Sequence, residues 1–189
     1  MIVLWRPSDA RLDELVRDAV GAAYTYPDVG ATRNGKLPSR YRAVGARTRL
    51  GAGDEVFARA AIAVLAWQVQ RLAGMQVVAT SRRVMPESVV VATMRYGPLR
   101  LVIPCRVVYV VDTPEVVGFG YGTLPGHPAS GEEAFLVERD PDGSVFLRVT
   151  AFSRPSGLLE RLGQPVSRLI QDRVTARYLS GMRRHVAPT

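Results

Sequence analysis

Apolar residues recur mostly at every second position between residues 75 and 152, which is the period of a β-strand. Short turns joining the apolar runs and the Asp-Pro-Asp-Gly sequence at 140–143 indicate hairpins, because proline presets one turn dihedral and Asp-Gly accepts left-handed ones. Connections this short predict an antiparallel meander rather than βαβ crossovers. The six predicted strands cover residues 77–84, 89–96, 99–111, 115–123, 132–139 and 144–152.

Three other segments repeat their apolar residues at helical spacing. Residues 10–24 follow Ser8, whose side chain suits an N-cap. Residues 54–73 are apolar on almost every face, so this predicted helix must be well covered. Residues 158–186 predict a long amphipathic helix, interrupted or restarted at Pro165, with arginines along its polar face.

The order of these elements predicts an α+β fold. Residues 26–38 have no period and are predicted to be a loop, whereas residues 41–50 alternate as one more strand. This order, in which a strand and a helix are followed by six strands and a long helix, is similar to the layout of START-like and birch-allergen-like helix-grip proteins. We therefore expect a curved antiparallel sheet of about six or seven strands wrapped around the C-terminal helix. We expect one domain, 1–189, in which residues 1–38 are an N-terminal helix and loop and residues 39–189 the helix-grip core.

The composition narrows the classes of function. Apolar residues make up 47% of the chain and charged residues 22%, which is typical of soluble globular proteins. The longest apolar run, residues 60–67, is too short to span a bilayer, and the N-terminus does not have the pattern of a signal peptide. The single cysteine, Cys105, excludes an internal disulfide and a cysteine-built zinc site, and it is expected to be a core thiol. We expect a cytoplasmic protein without a metal or another cofactor.

The net charge of +8 comes almost entirely from arginine, since only Lys36 among the 25 basic residues is a lysine. Basic clusters cover residues 33–49 and 161–184, and such surfaces favour anionic partners. The aromatic residues that stack on bases are not interleaved with these arginines, and no nucleic-acid-binding motif is present. The charge therefore gives no strong nucleic-acid signal.

Glycines alternate with aromatic residues in the predicted strand at 115–123. Gly118, Gly120 and Gly122 face one side of the sheet, while Phe119 and Tyr121 face the other. Without side chains on this face, the strand backbone could be approached closely by a ligand. Alternatively, the glycines allow the sheet to coil and another element to pack against it. Strand glycines most often serve geometry, so we favour the second interpretation.

The candidate chemistry centres on His127, in the longest loop of the meander. It could be a general acid or base oriented by Glu132 or Glu133, or a loop histidine that bonds the backbone. The two glutamates must face opposite sides of their strand, and a buried one needs a partner, for which Arg106 and Arg154 are the candidates. Such an arginine would form a structural ion pair or recognise a carboxylate or phosphate in a cavity.

Several motifs in order resemble uncharacterised protein family 0548, in the START-like (SRPBCC) superfamily. The resemblance covers roughly residues 26–178 and implies a helix-grip fold, but no particular activity, cofactor or catalytic residue. The segments that carry it are Tyr-Pro-Asp-Val-Gly-Ala-Thr at 26–32, Pro-Cys-Arg-Val-Val-Tyr-Val at 104–110, Gly-Tyr-Gly-Thr-Leu-Pro-Gly-His-Pro at 120–128, Gly-Glu-Glu at 131–133 and Ala-Phe-Ser-Arg-Pro at 151–155.

A cavity between sheet and helix is usual in that fold, so we expect a binding protein for a small apolar or amphipathic ligand. One alternative is a cofactor-free hydrolase, lyase or cyclase that uses His127 with Glu132 or Glu133. Another is an interaction module that uses the arginine face of the last helix. The residues expected to contact the ligand are Tyr121, His127, Glu133, Arg106 and Arg154.

Overall fold

A computed structural model describes residues 2–3, 7–97, 99–156 and 164–187. Its strands form one antiparallel sheet in the order β2-β8-β7-β6-β5-β4-β3, with β1 paired to β5 outside this path. Each strand from β3 to β8 pairs with the next in sequence, which confirms the meander and the α+β fold class. The strands are β1 (Ile2–Val3), β2 (Arg42–Ala52), β3 (Gln76–Ala79), β4 (Val89–Tyr96), β5 (Leu99–Asp112), β6 (Val116–Thr123), β7 (Ala129–Arg139) and β8 (Ser144–Pro155).

The helices cover both faces of the sheet. The longest, α5, packs across the inner face against β2 and β8, and α1 packs on the outer face against β3, β4 and β5. Successive residues of β4 are buried for this reason: Val90 joins the inner core, while Val89 and Val91 join the outer one. The helices are α1 (Asp9–Ala19), α2 (Ala31–Asn34), α3 (Asp54–Leu65), α4 (Gln68–Leu72) and α5 (Gln164–Val186).

The predicted continuous helix over residues 54–73 is wrong, because the chain breaks at Trp67 between α3 and α4. Trp67 adopts the left-handed conformation with a φ of 61°, which is costly for a bulky residue. Its indole is buried, donates a 3.0 Å hydrogen bond to the Ser81 carbonyl and packs edge-on against Phe119. These contacts outweigh the helical period of the sequence.

Other boundaries also differ from the prediction. The first helix ends at Ala19, where Val20 becomes extended, and β3 ends at Ala79. The predicted loop at 26–38 contains the short helix α2. Backbone amides at the start of this helix donate hydrogen bonds to the Glu132 side chain. The predicted helical residues 158–163 lie outside the described residues. Among the described helices, none combines the length and the apolar character needed to cross a membrane.

Candidate functional site

A cavity lies between the inner face of the sheet and α5. Its volume is about 130 Å³. Its walls are mostly apolar, and they come from β2, from β4 to β8 and from the middle of α5. The apolar side chains that enclose it include Val44, Met94, Leu101, Ile103, Ile170 and Val174.

Tyr121 and Glu133 form the polar centre of this cavity. They are directly opposite each other on β6 and β7, and the Tyr121 hydroxyl donates to Glu133 Oε2 over 3.0 Å. Burial raises the pKa of Glu133 to about 7, although the hydrogen bond from Tyr121 opposes this shift. Near neutral pH the carboxyl group therefore exists in both protonation states. It can donate a hydrogen bond to a ligand in one state and accept one in the other.

His127 also lines the cavity. Its Nδ1 lies 2.8 Å from both the amide nitrogen and the carbonyl oxygen of Ala129. Burial lowers the pKa of His127 to about 3, so the ring is neutral at physiological pH. Which of the two Ala129 groups bonds Nδ1 depends on the ring tautomer, and Nε2 has no partner among the described residues. In this arrangement neither Glu132 nor Glu133 orients the imidazole, and Nε2 is the ring nitrogen free to bond a ligand.

Glu132 faces the opposite side of the sheet, as the alternation of β7 requires. It is 2% exposed and accepts hydrogen bonds from Tyr26 Oη at 2.7 Å, Gly30 N at 2.7 Å and Thr32 N at 2.9 Å. The Thr32 hydroxyl donates to it as well. The carboxylate therefore fastens the segment around α2 to the outer face of the sheet.

The expectation that an arginine pairs with a buried glutamate is wrong for Glu132, because backbone amides and hydroxyl groups meet its hydrogen-bonding needs. Arg106 instead donates to the carbonyl oxygens of Ala19, the last residue of α1, and of Ala22, three residues further on. Arg154 is exposed. Neither arginine lines the cavity. Of the five predicted ligand contacts, the structure brings together the three that are not arginines.

The space beside Gly120 and Gly122 of β6 is occupied by the side chains of other residues. Gly120 lies against the Tyr109 ring and Gly122 against the Tyr26 hydroxyl, on the face away from the cavity. A Cβ atom built at Gly122 would come within 2.1 Å of Tyr26 Oη. This close packing agrees with the geometric interpretation of the glycines. Cys105 is fully buried in the inner core, as expected.

Gly122→Ala is expected to lower the free energy of unfolding by about 1–3 kcal/mol, because the buried Tyr26 side chain must move away from the new methyl group. Urea denaturation of both proteins would measure the change. Gly45→Ala is the matched control, since Gly45 also lies in a strand but has nothing within 4 Å of its built Cβ. Equal effects of the two substitutions would contradict the packing interpretation.

Sequence reasoning missed the polar side chains that α5 turns towards the cavity. Gln171, Thr175 and Tyr178 all line it and recur at positions i, i+4 and i+7, which places them on one helix face. Thr175 is only 8% exposed, and its hydroxyl has no partner within the described part of the chain. Burial, followed by the nearby Glu133, raises the pKa of Tyr178 well above its ordinary value. Polar residues at helical spacing within an apolar face were the available signal.

Residues 25–181 match the model of a family described as a domain of unknown function, DUF1990. The chain belongs to this family. A UPF0548 protein of Deinococcus radiodurans is 34% identical over 190 residues, covering 94% of this chain and 95% of that protein. A UPF0548 protein of Dictyostelium discoideum is 26% identical and covers 92% and 90% of the two chains. The resemblance to family 0548 is thus confirmed.

Solved structures similar to this DUF1990 chain support the fold. A hypothetical protein of Helicobacter pylori superposes with a TM-score of 0.62 at 11% identity, covering 87% of this chain and 96% of its own. A major latex-like protein of Panax ginseng gives 0.55 at 13% identity, with coverages of 78% and 99%. Ara h 8.0201 gives 0.52 at 11% identity, with coverages of 77% and 97%. At these identities the likeness shows the helix-grip fold alone.

Proposed function

We propose that this protein binds a small apolar or amphipathic molecule in the cavity under α5. The observation that carries the proposal is a mostly apolar cavity into which a few polar groups converge, the usual composition of a small-molecule site. These groups are the Glu133 carboxyl, the Tyr121 hydroxyl, the Nε2 of His127 and the Thr175 hydroxyl.

The size of the cavity limits the part of a ligand that it can enclose. An apolar cavity of about 150 Å³ takes up a molecule the size of benzene, and this cavity has a volume of about 130 Å³. One ring or a short branched chain therefore fits inside. Glu133 and Tyr121 would orient a hydroxyl or carbonyl group on that part, since an unpaired polar group in an apolar site is costly.

Binding can be tested with N-phenyl-1-naphthylamine, an uncharged aromatic probe whose fluorescence rises in apolar surroundings. Its single phenyl ring is the part that the cavity can enclose. We expect saturable binding to the purified protein. Molecules extracted from the same preparation and identified by mass spectrometry would indicate the natural ligand class. Absence of saturable fluorescence together with an empty extract would contradict the proposal.

Ala151→Leu is expected to abolish binding of this probe, because Ala151 lines the cavity beside Glu133 and a leucine would fill it. Ala43→Leu is the control, since Ala43 is exposed on β2. Val44→Phe provides a second filling variant in case the first one disturbs folding, which circular dichroism would reveal. Unchanged probe affinity in both folded cavity variants would show that the probe binds elsewhere.

Acid–base catalysis is the second candidate, favoured by the pKa of Glu133 near 7. In this version Glu133 transfers the proton and Nε2 of His127 forms a hydrogen bond with the substrate. Incubation of the extracted ligand with wild-type protein and with Glu133→Gln would test it by mass spectrometry. Conversion by the wild type alone would favour an enzyme, and no conversion by either would favour the binding protein.

A further inference from the structure

A second hollow adjoins the cavity along one flank of α5. Its volume is about 350 Å³. Met94, Ile170 and Val174 line both hollows, so the apolar wall of the cavity continues into the second one. The remaining residues around the second hollow are Arg95, Gly97, Arg173 and Arg177.

The second hollow has a strongly positive lining. Arg95, Arg173 and Arg177 contribute three cationic side chains, and no acidic residue of the described part of the chain lines the hollow. Within the described residues, none of the three forms an ion pair, and Arg95 Nε donates only to the Gly97 carbonyl. Their charges are thus available to a ligand.

The opposite flank of α5 is neutralised. There Asp172 pairs with Arg42 at 2.7 Å, and the Arg42 guanidinium also donates to the Gln171 side chain. Arg173 and Arg177 have no such compensation, although like charges four residues apart on a helix repel each other. The two flanks of one helix therefore differ in net charge, and a charged ligand would distinguish them.

We infer that the ligand of this protein is an amphipathic anion. Its carboxylate, sulfonate or phosphate group binds Arg173 and Arg177 in the second hollow, and its apolar part enters the cavity. Guanidinium groups bind such oxyanions through paired, charge-assisted hydrogen bonds. This inference rests on the proposed function, because it assumes that the cavity holds the apolar part.

Two probes with the same ring system separate the inference from the proposed function. 8-Anilinonaphthalene-1-sulfonate carries an anionic group that N-phenyl-1-naphthylamine lacks. We expect the wild type to bind the sulfonate probe about tenfold more tightly than the neutral probe, equivalent to about 1.4 kcal/mol. Added salt should weaken binding of the sulfonate probe much more than binding of the neutral probe, since salt screens exposed charges.

The double substitution Arg173→Gln and Arg177→Gln should lower the affinity for the sulfonate probe about tenfold and leave that for the neutral probe within twofold. Arg183→Gln with Arg184→Gln is the matched control, because these exposed arginines lie on the same helix away from both hollows. The control removes the same net charge and should leave both affinities within twofold.

The possible outcomes distinguish the two proposals. If neither probe binds the wild type, the proposed function fails and the inference fails with it. Suppose instead that both probes bind the wild type and that Ala151→Leu abolishes their binding. If the Arg173/Arg177 variant then keeps the wild-type ratio of the two affinities, the cavity binds ligands and only the anion inference is overturned. An equal loss of sulfonate binding in the Arg183/Arg184 control would also overturn it, because general charge attraction would then explain the preference.

Discussion

Glu132→Gln is expected to lower the free energy of unfolding by about 3 kcal/mol. Every group around this buried carboxylate donates a hydrogen bond, whereas a glutamine can accept at only one of its two terminal atoms. Its amide nitrogen would face the Gly30 amide or the pair of donors on Thr32. Burial raises the pKa of Tyr26, so its hydroxyl also stays a donor.

Chemical denaturation followed by circular dichroism would measure this loss. Limited proteolysis should also cut the variant first in the segment around α2, because this segment loses hydrogen bonds to the Glu132 side chain. Glu133→Gln is the matched control, with the same substitution at the next position of β7. If Glu132→Gln cost no more than Glu133→Gln at pH 5, the assignment of Glu132 as the structural fastener would be wrong.

Glu133→Gln is expected to change the pH dependence of stability. The pKa of Glu133 rises from an ordinary 4.5 to about 7 on folding, so the wild type is favoured while the carboxyl is protonated. As pH increases from 4.5 to above 7, the unfolded chain ionises first and the wild type loses up to about 3 kcal/mol. The variant has no such loss. Its stability relative to the wild type should therefore increase by that amount between pH 4 and pH 8.

His127 acts in the opposite direction. Its pKa falls from an ordinary 6.5 to about 3 on folding, so the native state loses stability as pH decreases below 6.5. In the wild type the two effects oppose each other between about pH 4.5 and 6.5. We expect Glu133→Gln to become less stable on acidification in this range. Denaturation curves at several pH values would show this slope, and a difference from wild type that is independent of pH would contradict the raised pKa of Glu133.

The sequence alone predicted the fold well. Side chains alternate between the two faces of each strand, and the turns that join the strands are short. That pattern located seven strands and the long helix. It failed at Trp67, since the gain from burying an indole against Phe119 depends on a strand that lies about 50 residues away in the chain.

The candidate site was predicted in part. Alternation along β7 required Glu132 and Glu133 to face opposite sides, but it could not assign either one to the cavity. That assignment depends on which face α5 covers. The two arginines were chosen for their charge, but neither contacts the cavity. Arg106 contacts carbonyl oxygens at the end of α1 and the exposed Glu87, and the exposed Arg154 lies over the Tyr41 ring.

Local periodicity thus determined seven of the strands, the long helix and their order, because the spacing of apolar residues follows directly from backbone geometry. Only the tertiary structure decided which glutamate fastens the α2 segment and which one faces the cavity with Tyr121. It also showed that Arg173 and Arg177 lie beside that cavity without acidic partners among the described residues. Such functions depend on groups that are distant in sequence and meet only when the sheet is covered on both faces.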